Sequence, residues 1–283
     1  MKVEIMSSKT PHRTASSGPG PTIPGGNHHD PDGSLSLSVP SLIFPFSRDT
    51  LPFLIRRFHV LPPVLHLDDR FIVLDKPTGL LSVPGIGPEK ADCLASRVNA
   101  TYPEARIVHR LDRDTSGVIV MGRDAESHRE LSRQFQDRET EKTYHALIGG
   151  HPKEDAGEID LPLRKDLDDP PRQMVDFERG KASLTKWIVT SRGEIGDLND
   201  ALAAPNADPR MPITRLELTP LTGRSHQLRL HLKSIGHPIL GDDLYAPDPL
   251  RAAVSRLCLH ASRLDLTHPG NASPMSFRSP PPF

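Results

Sequence analysis

The stretch from His109 to Met121 reads HRLDRDTSGVIVM and joins a polar segment to a short apolar run. Thr115, Ser116 and Gly117 predict a constrained loop, because hydroxyl groups bond to nearby backbone groups and glycine adopts values of φ that other residues avoid. The apolar run that follows is typical of a buried β-strand. We therefore expect a rigid loop, residues 109–117, that leads directly into the core; we call it the polar loop.

The pattern of apolar residues predicts further strands and helices on both sides of the polar loop. Alternating or continuous apolar runs predict extended segments over residues 71–74, 80–85, 118–121, 143–148, 182–190 and 213–218. Apolar residues three and four apart predict helices over residues 91–99, 125–137 and 225–235. Because these segments do not alternate as regular βαβ units, the expected fold class is α+β.

The last of these helices has recognisable ends. Ser225 is a plausible N-cap and Gly236 a plausible stop. Within the helix, Leu228, Leu232 and Ile235 are expected to face inward.

The first 60 residues differ in composition from the rest of the chain. Proline, glycine and serine crowd this stretch, and large apolar residues are too sparse to bury a core. We expect residues 1–60 to form a disordered tail and residues 61–283 to form one domain, a length that is ample for a single core. Residues 193–212 carry little periodic pattern and predict a surface insertion between two strands.

Charge, cysteine content and motifs exclude several classes of site. The formal net charge is −1, so a site for a polyanion must come from local clusters of lysine and arginine. The two cysteines, Cys93 and Cys258, lie in no C-x-x-C pattern and favour neither a disulfide framework nor a zinc site. No glycine-rich dinucleotide motif or Walker motif occurs, so no nucleotide cofactor is expected.

The sequence also predicts a cellular location. Its start lacks the charged-then-apolar layout of a signal peptide and carries Glu4, Asp30 and Asp32, which organelle transit peptides tend to avoid. The most apolar early stretch, residues 51–65, is broken by prolines and arginines and cannot span a bilayer. We expect a cytoplasmic protein without membrane association.

Asp112 is the first candidate for chemistry. It lies between Arg110 and Arg113 in the polar loop, where two cations can keep a carboxylate ionised while it is partly withdrawn from water. A nucleophilic carboxylate needs that state. These residues by themselves leave a second interpretation open, a surface ion-pair cluster of little energetic weight.

A second candidate is residues 222–233, which read TGRSHQLRLHLK. The segment contains the cations Arg224, Arg229 and Lys233 and no acid, so a helix start that faces phosphate is physically reasonable. An ordinary solvated basic helix is the alternative.

Its histidines match no metal-ligand spacing. Together with the nearby His237, the histidines His226 and His231 have no accompanying carboxylate, so no metal is expected. Solvated or phosphate-facing histidines are the interpretation that we favour.

A third candidate is the segment KTYHA, residues 142–146. Tyr144 on a predicted strand could be an ordinary core residue or could offer a flat face on which a base stacks. Stacking of that kind contributes about 1 to 3 kcal/mol per base.

Taken together, these three segments resemble the RluA family of pseudouridine synthases. The family signatures are similar to the polar loop, to KTYHA and to GRSHQLRLH at residues 223–231, and they occur here in family order. Further similarity covers KPTGLLSVPG at residues 76–85, GHPILGDDLYA at residues 236–246 and LHA at residues 259–261. The resemblance extends over about residues 65 to 283 and is closest to the RluA subgroup proper.

The resemblance implies a fold and a set of site residues. The fold is a long mixed, largely antiparallel sheet flanked by helices and loops, with an RNA-binding cleft across its middle. Asp112 matches the catalytic aspartate, Tyr144 matches the tyrosine that stacks on the target base and is implicated in removing its C5 proton, and Arg229 matches the arginine that pairs with the aspartate. The residues then expected to contact RNA are Arg110, Arg113, Arg224, His226 and Lys233.

The implied reaction needs no cofactor. It breaks the bond from ribose C1′ to uracil N1, turns the base and remakes the link through C5, without redox change or an imported group. Asp112 could attack C1′ or take the C2′ proton in a glycal route. Structured RNA is the expected partner, specifically uridine 32 of the tRNA anticodon loop and a site in 23S rRNA, and a monomer is expected.

Three alternatives remain open from the sequence. A related synthase could act on other rRNA uridines. A glycosidic hydrolase would also place an aspartate at an anomeric carbon, although it usually needs a second carboxylate at a fixed distance. A non-enzymatic RNA-binding assembly factor could use the same fold, but loss of the aspartate would be its clearest mark, and Asp112 is present.

Overall fold

The computed structural model of the chain describes residues 60–283. The strands are β1 Val64–Leu67, β2 Phe71–Lys76, β3 Arg106–Ile107, β4 Ser116–Gly122, β5 Glu141–Gly149, β6 Ala156–Asp160, β7 Leu163–Lys165, β8 Gln173–Val175, β9 Leu184–Glu194, β10 Pro212–Pro220, β11 Leu259–Thr267 and β12 Pro274–Arg278. The helices are α1 Leu94–Asn99, α2 Ala125–Asp137, α3 Gln227–Ser234 and α4 Asp248–Ala252, and 3₁₀ turns cover Pro88–Lys90 and Ile195–Asp197. The disordered tail expected over residues 1–60 lies, except for its last residue, outside the described residues and stays a prediction.

Ten of these strands form one large sheet. Their order is β1-β2-β4-β11-β5-β10-β9-β6, with β12 also paired to β11 and β3 to β4. The pair β4 and β11 runs parallel, whereas the other pairs run antiparallel. Strands β7 and β8 form a separate two-stranded sheet. The predicted α+β class and long mixed sheet are therefore confirmed.

Two of the core clusters lie on opposite faces of β2 and β4. Alternate residues of the two strands pack with Leu131 of α2 on one face and with Leu94 and Val98 of α1 on the other. A strand that is covered on both faces is apolar along its whole length rather than at every second residue. This explains the continuous runs FIVL and VIVM, and it confirms the predicted strands over residues 71–74 and 118–121.

Most of the other predicted elements are confirmed. Helix α2 has the predicted bounds, and the Asp124 carboxylate caps it by accepting a hydrogen bond from the Ser127 N–H at 2.8 Å. The predicted strands over residues 143–148 and 213–218 lie inside β5 and β10. Strand β9 begins two residues after the predicted start at residue 182 and continues to Glu194.

One short strand prediction is wrong, and the helix predicted over residues 91–99 is confirmed except for its start. Residues 80–85 form no strand and contribute only an isolated bridge between Leu81 and Cys93. Helix α1 begins at Leu94 rather than at residue 91, because Cys93 is its N-cap and accepts a hydrogen bond from the Ser96 N–H.

The surface insertion expected at residues 193–212 is only partly a surface feature. Strand β9 and a 3₁₀ turn occupy its first residues, and Ile195 and Leu202 are 2% and 3% exposed in the main core cluster. Two isolated apolar residues give no periodic signal, so the sequence pattern could not show that this segment packs against the sheet.

Candidate active site

Strand β11 brings the polar loop and Tyr144 close together. Ala261 of β11 pairs with Gly117, at the start of β4, on one side and with Tyr144 of β5 on the other. Neighbouring strands lie about 4.8 Å apart, so Tyr144 lies roughly 10 Å across the sheet from the end of the polar loop. Strand β11 follows both segments in the sequence, and its register with β4 and β5 sets the distance between the polar loop and Tyr144.

Gly117 is required by this close approach. Its φ is +112°, and a Cβ at this position would lie 2.2 Å from the Ala261 carbonyl oxygen. A side chain here would meet both a steric clash with the backbone and an unfavourable backbone conformation. The predicted unusual φ is confirmed, and neighbouring backbone adds a second reason for glycine.

The polar loop is held from outside by hydroxyl groups of residues 76–85. Ser82 Oγ donates to the Leu111 carbonyl at 2.7 Å, and the Leu111 N–H donates back to Ser82 Oγ at 3.1 Å. Thr78 Oγ1 donates to the Asp114 carbonyl at 2.7 Å. These bonds fix the backbone on both sides of Asp112 and leave its side chain uninvolved.

Lys76 contacts the polar loop from the buried side. It is 0% exposed, and its Nζ donates to the carbonyls of Pro77, Leu80 and Arg113 at 3.0, 2.7 and 2.9 Å. Burial lowers the pKa of Lys76 to about 7, an effect that the Asp114 carboxylate opposes. Three carbonyl acceptors match the three N–H groups of an ammonium, so the charged form is fully hydrogen-bonded when present.

The role expected for the loop's own hydroxyls is wrong. Thr115 Oγ1 is buried and has no hydrogen-bond partner within residues 60–283. Ser116 Oγ bonds to the side chains of His260 and Arg256 rather than to backbone. The loop is constrained by its neighbours, which only the tertiary structure brings into contact with it.

An open cleft lies between the polar loop and the start of α3. Its lining comprises Arg110, Leu111, Asp112, Thr115, Lys142, Tyr144, Pro220, Thr222, Gly223, Arg224, His226, Gln227, Leu228, Arg229 and Leu259. Six of the eight predicted site residues are in this lining, and the other two, Arg113 and Lys233, are not. Lys233 is exposed in the last turn of α3.

Asp112 is half-buried at the cleft, and no hydrogen bond or ion pair to its carboxylate occurs in the described part of the chain. Arg113 bonds instead to Asp114, with Nε 3.0 Å from Oδ1, and its NH2 lies 3.4 Å from Asp243 Oδ2. The expected interaction of Asp112 with its two neighbouring arginines is therefore wrong: within residues 60–283 Arg113 pairs with Asp114 and Asp243, and Arg110 makes no ion pair with Asp112. Arg110 is exposed and lines the cleft.

Arg229 pairs with carboxylates other than Asp112. Its Nε and NH2 donate to both oxygens of Asp242 at 2.8 and 2.5 Å, and NH2 also donates to Asp243 at 2.7 Å. The predicted ion pair with Asp112 is not found among residues 60–283; Asp112 attracts Arg229 only at longer range. Burial alone would lower the pKa of Arg229, but the Asp242 hydrogen bonds and the surrounding carboxylates together raise it.

Tyr144 packs between the two core clusters that meet at the cleft. Burial raises the pKa of its hydroxyl, and the negative charge of Asp112 raises it further. Tyr144 is therefore a neutral phenol while Asp112 is ionised. The carboxylate of Asp112 and the phenol of Tyr144 line the same cleft.

The start of α3 differs from the prediction. The N-cap is His226, with left-handed φ 52° and ψ 18° and no side-chain cap, whereas Ser225 precedes it and is exposed. Gln227 closes the turn instead, because its Oε1 accepts from the Arg224 N–H at 3.1 Å. Ser225 is therefore not the N-cap, because the side chain of Gln227, inside the helix, accepts from the Arg224 N–H, which lies before it.

The C-terminal end of α3 agrees better with the predicted helix than its start does. Leu228 and Leu232 are buried as predicted, but Ile235 is 37% exposed and serves as the C-cap. Gly236 follows with a φ of +89° and ends the helix.

The histidines of this region differ in exposure. His231 is 0% exposed and bonds to Thr185 Oγ1 and the Leu161 carbonyl, so the solvated or phosphate-facing interpretation is wrong for it. His237 Nδ1 lies 2.9 Å from the Gly149 carbonyl oxygen, and only His226 lines the cleft. No cluster of metal-ligating side chains is found in the described part of the chain.

Sequence reasoning missed the side chains that hold the site in place. Asp242, Asp243 and Tyr245 contact Arg229 or His226, and Lys76 and Ser82 support the polar loop. A signal was available, because residues 222–233 contain no acid, so an arginine of this segment that becomes buried needs carboxylates from elsewhere. The adjacent acids of GDDLY were the nearest candidates.

The family can now be identified from the sequence profile that matches this site. Residues 70–234 match the family described as RNA pseudouridylate synthase. The chain belongs to this family. The match includes the polar loop, Tyr144 and α3, so the predicted resemblance is confirmed and the protein is an RNA pseudouridine synthase, an isomerase.

Individual pseudouridine synthases support the same assignment. The chain is 47% identical over 220 residues to the dual-specificity RNA pseudouridine synthase RluA of Pasteurella multocida, and the alignment covers 78% of this chain and 93% of the relative. It is 44% identical, with the same coverage of both chains, to the enzyme of that name from Escherichia coli K12.

Solved structures agree on the fold. Human RNA pseudouridylate synthase domain containing 1 superposes with a TM-score of 0.63 at 25% identity, over 78% of this chain and 84% of that one. Human RNA pseudouridylate synthase domain containing 4 superposes with a TM-score of 0.57 at 22% identity, over 78% and 88%, and supports the fold alone. Within residues 60–283 of the synthase, no helix has the length and apolar character needed to cross a membrane.

Proposed function

We propose that this synthase isomerises uridine in RNA with Asp112 as its nucleophile, Tyr144 as the residue that stacks on the target base, and Arg229 as the cation of the site. One observation carries the assignment: all three side chains line the same cleft, where Arg229 is paired with Asp242 while the Asp112 carboxylate has no hydrogen bond or ion pair in the described structure. The hydrogen bonds of the loop backbone position Asp112, and its carboxylate oxygens remain available to react.

The bond changes balance within the nucleotide. The C1′–N1 bond breaks with its electron pair going to uracil, the base turns, and C5 bonds to C1′. The proton on C5 leaves and N1 gains one, so no oxidant, reductant or further group is consumed. The uridine must leave its stack to enter the cleft, at a cost of a few kcal/mol that is smallest in an RNA loop.

The coupling between Asp112 and Tyr144 suggests an order of events. While Asp112 is ionised, its charge helps to keep Tyr144 protonated. Asp112 loses that charge either by bonding to C1′ or by accepting the C2′ proton. When C5 bonds to C1′, the carboxylate is displaced or its proton returns to C2′, so Asp112 is charged again before the C5 proton leaves, and the pKa of Tyr144 is lower only in the interval between these steps.

The RNA contacts and substrates extend the proposal. Arg110, Arg224 and His226 line the cleft and would contact the bound nucleotide. Exposed Arg113 and Lys233 would contact more distant phosphates. By analogy with the relatives named dual-specificity synthases, we assign tRNA uridine 32 and a 23S rRNA uridine as substrates. The acting form would be a cytoplasmic monomer whose catalytic domain is residues 61–283, and it would need no cofactor.

A pseudouridine map of cellular RNA with and without this gene tests the assignment. We expect signals in the tRNA anticodon loop and 23S rRNA to disappear when the gene is removed, and to return with the wild-type gene but not with Asp112→Asn. Loss of signal only at other rRNA uridines would overturn the substrate assignment. Release of free uracil by the purified protein would indicate a hydrolase, and an unchanged map with intact RNA binding would indicate an assembly factor.

A further inference from the structure

Tyr245 connects the β7–β8 sheet to the catalytic cleft. Its hydroxyl accepts a hydrogen bond from the Gln173 N–H at 2.8 Å and lies 2.9 Å from His226 Nδ1. Gln173 is the first residue of β8, and His226 lines the cleft at the start of α3. One hydroxyl thus links a backbone group to a cleft side chain.

The Gln173 N–H sets the donor and acceptor roles in the two hydrogen bonds of the Tyr245 hydroxyl. A backbone N–H can only donate, so the Tyr245 oxygen must accept from Gln173. Its own proton then needs an acceptor, and within residues 60–283 the one in contact with it is His226 Nδ1. Nδ1 must therefore be unprotonated, which places the proton of a neutral imidazole on Nε2.

The other ring nitrogen of His226 has no partner in the described structure. Burial lowers the pKa of His226, an effect that the Asp112 carboxylate opposes. Because the ring is half-buried in the cleft lining and its Nδ1 is occupied, Nε2 is left for a ligand. A neutral N–H in a cleft that binds RNA fits an oxygen acceptor of the nucleotide.

The ring of Tyr245 is itself fixed. It is 8% exposed, packs with Leu163 and Leu230, and lies edge-on to His226 with the ring centroids 5.7 Å apart. The Arg229 guanidinium lies 5.4 Å from the Tyr245 ring centroid. Removal of the hydroxyl alone therefore leaves these packing contacts in place.

We propose that Tyr245 is a positioning residue that holds His226 as its Nε2–H tautomer, so that His226 donates a hydrogen bond to an oxygen of the bound RNA. The proposal rests on the proposed function, since it assumes that RNA occupies the cleft. It goes further by giving His226 a defined proton and by giving Tyr245, outside the cleft lining, a role in binding.

The tautomer is testable without RNA. Long-range ¹H–¹⁵N correlation spectra of the full-length protein with ¹⁵N-labelled histidine, with His226 assigned by its loss in His226→Gln, should show a protonated Nε2 and an unprotonated Nδ1 at pH 7.5. In Tyr245→Phe the two tautomers should mix. Tyr102→Phe is the matched control and should leave the His226 signals unchanged. A protonated Nδ1 in the wild type, or an unchanged spectrum in Tyr245→Phe, would overturn the proposal.

The binding role is tested by two replacements of His226. The amide nitrogen of glutamine lies near the position of Nε2, whereas that of asparagine lies near Nδ1. We expect His226→Gln to bind a tRNA anticodon-arm transcript and a 23S rRNA fragment within about threefold of wild type, and His226→Asn to bind about three- to tenfold more weakly, as for one lost hydrogen bond. Asparagine tolerates left-handed backbone better than glutamine, so a backbone effect would give the reverse order.

Tyr245→Phe completes the test. It should raise the dissociation constant for the same RNAs about three- to tenfold and lower kcat by less, with a lower melting temperature than Tyr102→Phe because the Gln173 N–H loses its acceptor. Equal affinities for the two His226 variants, or a fall in kcat without a change in affinity, would refute the positioning role. If wild type binds these RNAs but forms no pseudouridine, the proposed function fails, whereas the spectra and the order of affinities still decide this proposal.

Discussion

The polar loop and the start of α3 face the same cleft but are held by different kinds of contact. The polar loop is held through its backbone, with Lys76, Thr78 and Ser82 bonding to loop carbonyls. The start of α3 is held through its side chains, as in the pairing of Arg229 with Asp242. The loop can therefore keep its shape while its side chains change, whereas α3 depends on side-chain identity.

This difference separates the proposed nucleophile, Asp112, from the charged groups that are fixed by ion pairs. Asp112 has no hydrogen-bond partner in the described structure and is available to a ligand, while two carboxylates anchor Arg229 and fix the position of its guanidinium. Preorganised charge of this kind costs no rearrangement during a reaction. The predictions below test the two kinds of support against each other.

The largest effect on turnover is expected at Asp112, whose carboxylate has no hydrogen-bond partner in the described structure. Asp112→Asn keeps the backbone bonds of the loop and removes the proposed nucleophile, so turnover should fall by more than about a thousandfold while RNA affinity is retained. Tritium release from uridine-labelled RNA measures the rate, and filter binding measures affinity. Asp114→Asn in the same loop is the control and should stay within about tenfold of wild type. Full activity in Asp112→Asn would contradict the assignment.

At the start of α3, Arg229→Ala should be costly for stability. It leaves Asp242, which is 0% exposed, as a buried carboxylate without its cation, and the expected loss in unfolding free energy is about 3 to 5 kcal/mol. Urea denaturation measures it. Arg113→Ala also removes an arginine between two carboxylates, but at an exposed position, and should cost below about 1 kcal/mol. Similar small losses for both would mean that burial does not set the importance of these pairs.

Tyr144 lies where the two regions meet. Tyr144→Phe keeps the stacking face and removes the hydroxyl that would take up the C5 proton, so kcat should fall by on the order of 10² with little change in RNA affinity. Single-turnover kinetics and binding measured side by side check this. Tyr102→Phe should be close to wild type in both. A large rise in the dissociation constant for RNA would show that the hydroxyl serves binding instead.

A smaller effect is expected from one backbone contact of the loop. Ser82→Ala leaves the buried Leu111 carbonyl and N–H without their partner and should cost about 1 to 3 kcal/mol of unfolding free energy. Ser225→Ala is the informative control. As an N-cap, Ser225 would contribute about 1 kcal/mol, but its exposed position ahead of the observed cap predicts a change below about 0.5 kcal/mol. The reverse order in urea denaturation would contradict both assignments.

The two regions should also respond to pH in different windows. Burial lowers the pKa of Lys76 in the folded state from 10.5 to about 7, so the unfolded chain binds more protons between these values and unfolding free energy should rise with pH there. Burial lowers the pKa of His231 below 6.5, so stability should fall as pH drops below 6.5. Neither slope can exceed about 1.4 kcal/mol per pH unit.

Two variants separate these contributions. Lys76→Met should flatten the slope of unfolding free energy between about pH 7 and 10.5, whereas His231→Gln should reduce the slope below pH 6.5. Each should leave the other window as in wild type. A slope that is unchanged by either variant in its own window would show that the residue keeps its usual pKa in the folded protein.

Sequence reasoning was most successful where the signal was local. The runs FIVL and VIVM and the amphipathic segment from Ala125 to Asp137 carry their structure in their own periodicity, and all three were confirmed. It failed where a partner lies far along the chain. Ser225 has the chemistry of an N-cap, but the helix starts elsewhere because Gln227 satisfies the turn.

The sequence by itself determined which residues carry charge and flat apolar faces. It also placed them in motifs that are specific enough to identify the family. Asp112, Tyr144 and Arg229 were all chosen as candidates in this way. The tertiary structure decided their partners: Arg229 pairs with Asp242 and Asp243 rather than with Asp112, and Arg113 pairs with Asp114. The physical reason is that a motif fixes the type of a side chain, whereas an ion pair depends on distance and burial, which strand register sets between segments far apart in the chain.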